Sequence, residues 1–155
     1  MADNVNEAVK EELINKLTEL FVKGGTLKDV KGLDDAQMET LYALGFNLYQ
    51  AGKSEDAEKV FRLLTLLDYS VLKYWLGFGA SMQAQKKFDE AAQAYAMATI
   101  LDIHDPRSQY HAAECFIAMG DKVKAGQALD TLELGAPQDS EYRAKAAVLR
   151  KAIAA

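Results

Sequence analysis

Four columns of residues recur at a fixed interval of 34 along this chain, and no other feature narrows the fold so far. Gly45, Gly79 and Ala113 form one column, and Ala57, Ala91 and Ala125 a second. Phe61, Tyr95 and Leu129 form a third, and Gly52, Lys86 and Gly120 a fourth. A period of this length means stacked units, each too small to bury its own apolar face. The residue types suggest how the units stack. A small residue in a first helix lets its backbone approach a paired helix. An Ala in the second helix does the same from the other side, and the aromatic or Leu four residues later fills the space between repeats. Ala, Leu, Glu, Lys and Gln are plentiful while Val, Ile and Thr are sparse, which favours helix over strand.

Period and residue types match the tetratricopeptide repeat, a helix–turn–helix unit. The expected fold is all-α: three repeats in a right-handed superhelix, over 38–71, 72–105 and 106–139, with helix pairs at 35–51 and 54–67, 70–85 and 88–101, and 106–119 and 122–134. The middle repeat fits best, with Trp75, Phe78, Gly79, Met82, Ala91, Tyr95 and Ala98 in pattern. The third carries Gln109 where a large apolar residue is usual, and Pro137 ends it. Asp34 with Gln37 reads as a capping box at the first start, and the HDP at 104–106 and GAP at 135–137 read as breaks.

The ends are not repeats. Residues 5–22 place Val5, Val9, Leu13, Leu17, Leu20 and Phe21 on one face, an amphipathic helix ended by Gly24 and Gly25. Thr26 with Asp29 suggests a second capping box for a short turn. EYRAKAAVLRKAIAA reads as a closing helix, with Arg143, Lys145, Arg150 and Lys151 supplying the polar outer side that a repeat stack needs. The expectation is one domain: an arm over 1–33, repeats over 34–138, and a cap over 139–155.

Several function classes fall away. A net charge of −5 without a Lys/Arg run argues against a nucleic-acid surface. Apolar runs are too short to span a membrane, and the N-terminus lacks a basic start followed by an apolar stretch. The single cysteine, Cys115, excludes an intrachain disulfide. His111 and Cys115 lie at i, i+4, a spacing that lets two ligands touch one metal, but a structural zinc site takes four and no others lie nearby. Cys115 reads as a small buried thiol, and Asp102, His104 and Asp105 as turn and capping residues. No phosphate-binding or nucleophile motif appears, so neither an enzyme nor a cofactor is expected.

The remaining signal is a second stripe in LYALGFNLYQ, residues 41–50. Leu41, Leu44, Gly45 and Leu48 form a core stripe, while Tyr42, Phe46 and Tyr49 form another, rotated by ~100°. First helices line the concave side of such a superhelix. Positions 2, 5, 9 and 12 of each repeat face it: Glu39, Tyr42, Phe46 and Tyr49; then Lys73, Leu76, Ala80 and Gln83; then Arg107, Tyr110, Glu114 and Ile117. An exposed aromatic trough wants a ligand, unless another part of the chain fills it. Tyr suits a peptide, its ring covering apolar side chains and its hydroxyl bonding to extended backbone. The aromatic residues stand where a carboxylate clamp would need polar ones, which favours an internal apolar segment. Leu63, Leu66 and Leu67 widen the apolar face of the next helix. With the N-terminal helix they make either a self-association surface or a cap within one chain.

GGTLKDVKGL, the run from Leu41 to Tyr69, LGFGASMQAQKKFDEAAQAYAMA and DPRSQYHAAECFIAMGD together resemble the class II chaperones of bacterial type III secretion, over about residues 24–135. The resemblance implies a cytoplasmic, non-enzymatic homodimer that holds hydrophobic translocators, major and minor, through a PxLxxP-like segment. It implies peptide-binding positions at Tyr42, Phe46, Tyr49, Leu76, Ala80 and Tyr110, with Tyr69 and Tyr95 as further candidates. It implies a dimer surface on the N-terminal helix (Val9, Leu13, Leu17, Leu20, Phe21) and on Leu63 and Leu67. A generic repeat scaffold joining folded partners, or a co-regulator of a transcription activator, are the alternative functions.

Overall fold

In the computed structural model, which describes residues 11, 12, 14–16, 18, 19 and 22–155, every regular element is a helix. After a helical stretch that ends near Val22 come α1 (Leu27–Lys31), α2 (Asp35–Gln50), α3 (Ser54–Leu67), α4 (Leu72–Ala84), α5 (Phe88–Leu101), α6 (Pro106–Ala118), α7 (Lys122–Gly135) and α8 (Glu141–Ala154). The bounds of α2–α7 lie within two residues of those expected from the repeat. Val9, Leu13, Leu17, Leu20 and Phe21 lie outside the described residues.

Local chemistry sets the starts. Asp34 Oδ1 accepts from the Gln37 amide at 2.8 Å and Gln37 Oε1 accepts from the Asp34 amide at 3.0 Å, the expected reciprocal box. Thr26 and Asp29 make another at α1. Asp105 accepts from the Arg107 amide ahead of Pro106 at the start of α6. The Ser140 hydroxyl accepts from the Tyr142 amide at the start of α8.

Each of α2–α7 packs on the next, and the first helices α2, α4 and α6 also touch side by side. That side-by-side row makes one wall of the stack. α8 closes the far end against α6 and α7. The period has a steric cause. A Cβ on Gly79 would lie 2.6 Å from Tyr95 Cε1, and one on Gly45 would lie 3.1 Å from the Phe61 ring. Each aromatic of α3 and α5 therefore sits directly on the glycine of the helix before it. In the third repeat a slimmer Leu129 faces Ala113, and both are fully buried.

Two clusters make the core. Met38, Ala57, Phe61, Leu64, Leu67 and Tyr74 form the first. Met82, Ala91, Tyr95, Ala113, Cys115, Leu129 and Leu132 lead the second. Leu67, which the resemblance implied for the dimer surface, packs in the first core cluster at 8% exposure; the exposed leucines of α3 are Leu63 and Leu66, at 45% and 59%. Leu44 departs from the expected core stripe and stays exposed. The rest of the stripe packs as expected, Leu41 and Leu48 on the first cluster and Gly45 beneath Phe61. Gln109, the apolar position that the third repeat lacks, is accommodated by polar contacts: its Nε2 donates to Thr99 Oγ1 at 2.7 Å, and Thr99 meets the buried Ser108 hydroxyl at 2.9 Å.

Candidate functional site

The wall of first helices carries a cavity of about 260 Å³ lined by Tyr42, Phe46 and Tyr49 of α2, Lys73, Leu76, Gly77 and Ala80 of α4, Arg107 and His111 of α6, and Phe61 and Tyr95 from beneath. Helical spacing explains the convergence. Tyr42, Phe46 and Tyr49 fall at i, i+4, i+7 on α2, and Lys73, Leu76 and Ala80 at i, i+3, i+7 on α4. Pockets for whole small molecules run to about 300–1,000 Å³. This one is of a size for one or two side chains of a longer ligand.

Aromatic packing fixes its shape. The Tyr42 ring stacks near Phe46 at 6.4 Å, meets Phe61 edge-on at 5.9 Å and lies 6.0 Å from Tyr74. Lys73 Nζ sits 4.3 Å above the Tyr42 ring and pairs with Glu39. That cation–π contact holds the ammonium at the cavity rim. Phe46 is 45% exposed, so an aromatic ring stands open to water beside a tyrosine cage. At the far end Glu114 Oε2 lies 2.8 Å from His111 Nδ1 and accepts from Gln83 Nε2 at 3.1 Å. The Tyr95 hydroxyl donates to Gln83 Oε1 at 2.7 Å. His111 holds the Glu114 carboxyl below its ordinary range, outweighing burial.

Of the eight expected peptide-binding residues, six line this cavity: Tyr42, Phe46, Tyr49, Leu76, Ala80 and Tyr95. Tyr95 is only 1% exposed and forms floor, not wall. Burial pushes its phenol up. Tyr110 stands outside the lining, edge-on to His111 and to Tyr142, both at 5.3 Å. Tyr69 lies in the turn between α3 and α4, where its carbonyl accepts from the Trp75 indole at 2.8 Å. The expected positions pair as neighbours across the wall: Glu39 with Lys73, and Gln83 with Glu114. Phe61, Gly77 and His111 were not among the expected site residues. Repeat position assigns Phe61 to the core, yet its ring edge reaches between α2 and α4 because Gly77 leaves room, a Cβ there lying 2.3 Å from the ring.

His111 and Cys115 do not act together. His111 turns to Glu114, while Cys115 is fully buried and its thiol is pushed up to about 12 by that burial and by Glu114. His104 bonds the Gly135 carbonyl at 2.9 Å, and Asp102 accepts from the His104 amide, so both brace the turn as expected. Another cavity, of about 350 Å³, opens on the outer side between α3, α4 and α5. Its Glu58 is already engaged by Gln85 Nε2 at 2.7 Å and Lys87 Nζ at 2.8 Å, and by Arg62, so its polar wall serves the stack itself. Among the described residues no helix is long and apolar enough to cross a membrane.

Family models for the tetratricopeptide repeat match residues 38–69 and 82–149. The Low calcium response locus protein H of Yersinia pestis is 42% identical over 112 residues, covering 72% of this chain and 67% of that protein. Chaperone protein SicA of Salmonella typhimurium is 31% identical over 151 residues, covering 97% of this chain and 91% of that one. The solved type III secretion chaperone SycD of Yersinia enterocolitica, in complex with a peptide of the translocator YopD, superimposes with a TM-score of 0.74 at 34% identity, over 79% of this chain and 95% of that one.

Proposed function

The chain belongs to the class II, tetratricopeptide-repeat chaperones of type III secretion, and from that membership we propose that it holds hydrophobic translocators soluble and apart until they are secreted. The observation that carries this reading is the aromatic cavity on the wall of first helices, with Phe46 exposed at its mouth. An extended client segment with a PxLxxP-like pattern inserts Pro and Leu side chains between Tyr42, Phe46, Tyr49 and Leu76, with Ala80 leaving room beneath. Major and minor translocators use the same groove in turn. Tyr110 and Tyr69, outside the cavity lining, are further candidate contacts for the ends of that segment. The reading places the protein in the bacterial cytoplasm, as a homodimer that works without cofactor or catalysis.

Calorimetric titration of the purified chain with short PxLxxP-containing peptides tests it. Wild type binds in the micromolar range. Tyr42→Ala combined with Phe46→Ala loses roughly 2 kcal/mol or more, because buried aromatic anchors dominate such interfaces. Equal binding by both proteins, each folded, removes the groove assignment.

A further inference from the structure

We propose that His111 is a polar anchor of this groove: its Nε2 accepts a hydrogen bond from a backbone N–H of the bound client segment, and Glu114 is the positioning residue that makes it an acceptor. The proposal rests on the groove reading above and names a contact that reading does not supply.

The tautomer follows from the partner. Glu114 is held as a carboxylate, which can only accept, and it lies 2.8 Å from Nδ1. In the neutral imidazole Nδ1 therefore carries the hydrogen and Nε2 keeps its lone pair. Among the described residues Nε2 has no hydrogen-bond partner in the chain. The ring orientation is set from three sides: Glu114 at Nδ1, the Tyr95 ring stacked at 5.6 Å and 29°, and the Tyr110 ring edge-on at 5.3 Å. Glu114 is itself anchored across the wall by Gln83 at 3.1 Å. A ring fixed this way lines the cavity with its orientation already chosen before any client arrives.

Beside the Tyr42 and Tyr49 hydroxyls, which can donate or accept, His111 adds an acceptor of fixed direction. The cavity's charged liners, Lys73 and Arg107, only donate, and they suit client carbonyls. An extended segment bounded by prolines carries few N–H groups. Any that enters an aromatic cavity must find an acceptor or remain unsatisfied at a cost. His111 supplies a nitrogen lone pair at the end of the cavity opposite Phe46, where α6 forms the wall.

The test is calorimetry on the full chain with a PxLxxP peptide and with the same peptide N-methylated, one position at a time. His111→Phe keeps an aromatic ring against Tyr95 and Tyr110 but has no acceptor; it should bind roughly fivefold or more weakly at a temperature where both chains are fully folded. His111→Gln, which keeps an acceptor, should stay within about twofold to threefold of wild type. One N-methylated peptide should lose affinity for wild type and not discriminate wild type from His111→Phe. Nitrogen NMR of the free protein should find the hydrogen on Nδ1 of His111. Wild-type affinity in His111→Phe, no sensitive N-methyl position, or a hydrogen on Nε2 each overturns the proposal while leaving the groove reading intact. If His111→Phe fails to fold, the peptide series and the NMR measurement still decide. Failure of wild type to bind any such peptide removes the groove reading, and this proposal with it.

Discussion

Phe46 and Gly79 both lie on the first helices of their repeats, yet their substitutions should fail in different ways. Phe46 is 45% exposed, so nearly half of its surface meets water in the free chain. Phe46→Ala should leave the denaturation free energy within about 0.5 kcal/mol of wild type, as for most surface changes, while weakening client binding by more than about 1 kcal/mol. Gly79→Ala should do the reverse. Its new methyl would press into the Tyr95 ring, 1% exposed and unable to move away, and should cost roughly 1–3 kcal/mol in chemical denaturation. A Gly79→Ala chain as stable as wild type would show that Tyr95 can shift. The contrast also explains which residues were readable from the sequence. Gly79 stood in a 34-residue column because its constraint is repeated in every unit. Phe46 stood out because it was apolar surplus beyond the core stripe. His111 carried neither mark. Its surroundings depend on Glu114, Gln83 and Tyr95 meeting across three helices, which spacing along one helix does not show.

At the scale of the helices, the joint between α3, α4 and α5 depends on Glu58. It is 6% exposed and is engaged by Arg62 of its own helix, by Gln85 beyond the end of α4, and by Lys87 ahead of α5. Burial pushes its carboxyl up, but Lys87, Gln85 and Arg62 together outweigh it and hold the group below its ordinary range. Glu58→Gln should therefore cost about 1–2 kcal/mol near neutral pH, the worth of a charge-assisted hydrogen bond. The sign of its pH dependence follows from linkage. A carboxyl whose folded pKa is depressed contributes fully above its unfolded pKa and loses that contribution as pH falls through the folded one. The stability gap between wild type and Glu58→Gln should thus be constant from pH 8 to about 6 and close below about pH 4. A gap that widens in acid would remove the assignment. Helix existence and order were legible here because caps and turns are local chemistry, as at Asp34 and Gln37. The Glu58 joint was not, since its partners lie 27 and 29 residues away. The polar substitution at Gln109 looked like a weakness for the same reason, its partner Thr99 lying on the preceding helix.

For the whole molecule, the two ends of the stack are closed differently. α8 covers the last repeat, with Tyr142, Leu149 and Ile153 packed on the second core cluster and Arg150 paired with Asp130 and Glu133. The first repeat and the helix before it also leave apolar side chains in view: Leu44 on α2, Leu63 and Leu66 on α3, and Val30 on α1 are all exposed. A second copy could cover such side chains, none of which lines the groove. Leu67 differs from these in packing within the first core cluster. If the first-repeat end is the dimer surface, Leu63→Asp with Leu66→Asp should shift the protein toward monomer in sedimentation equilibrium. Client affinity and melting temperature extrapolated to low concentration should stay near wild type, since neither side chain is buried or lines the cavity. An unchanged dimer would place the contact elsewhere, and a loss of client binding alongside dissociation would mean that the groove is complete only in the pair.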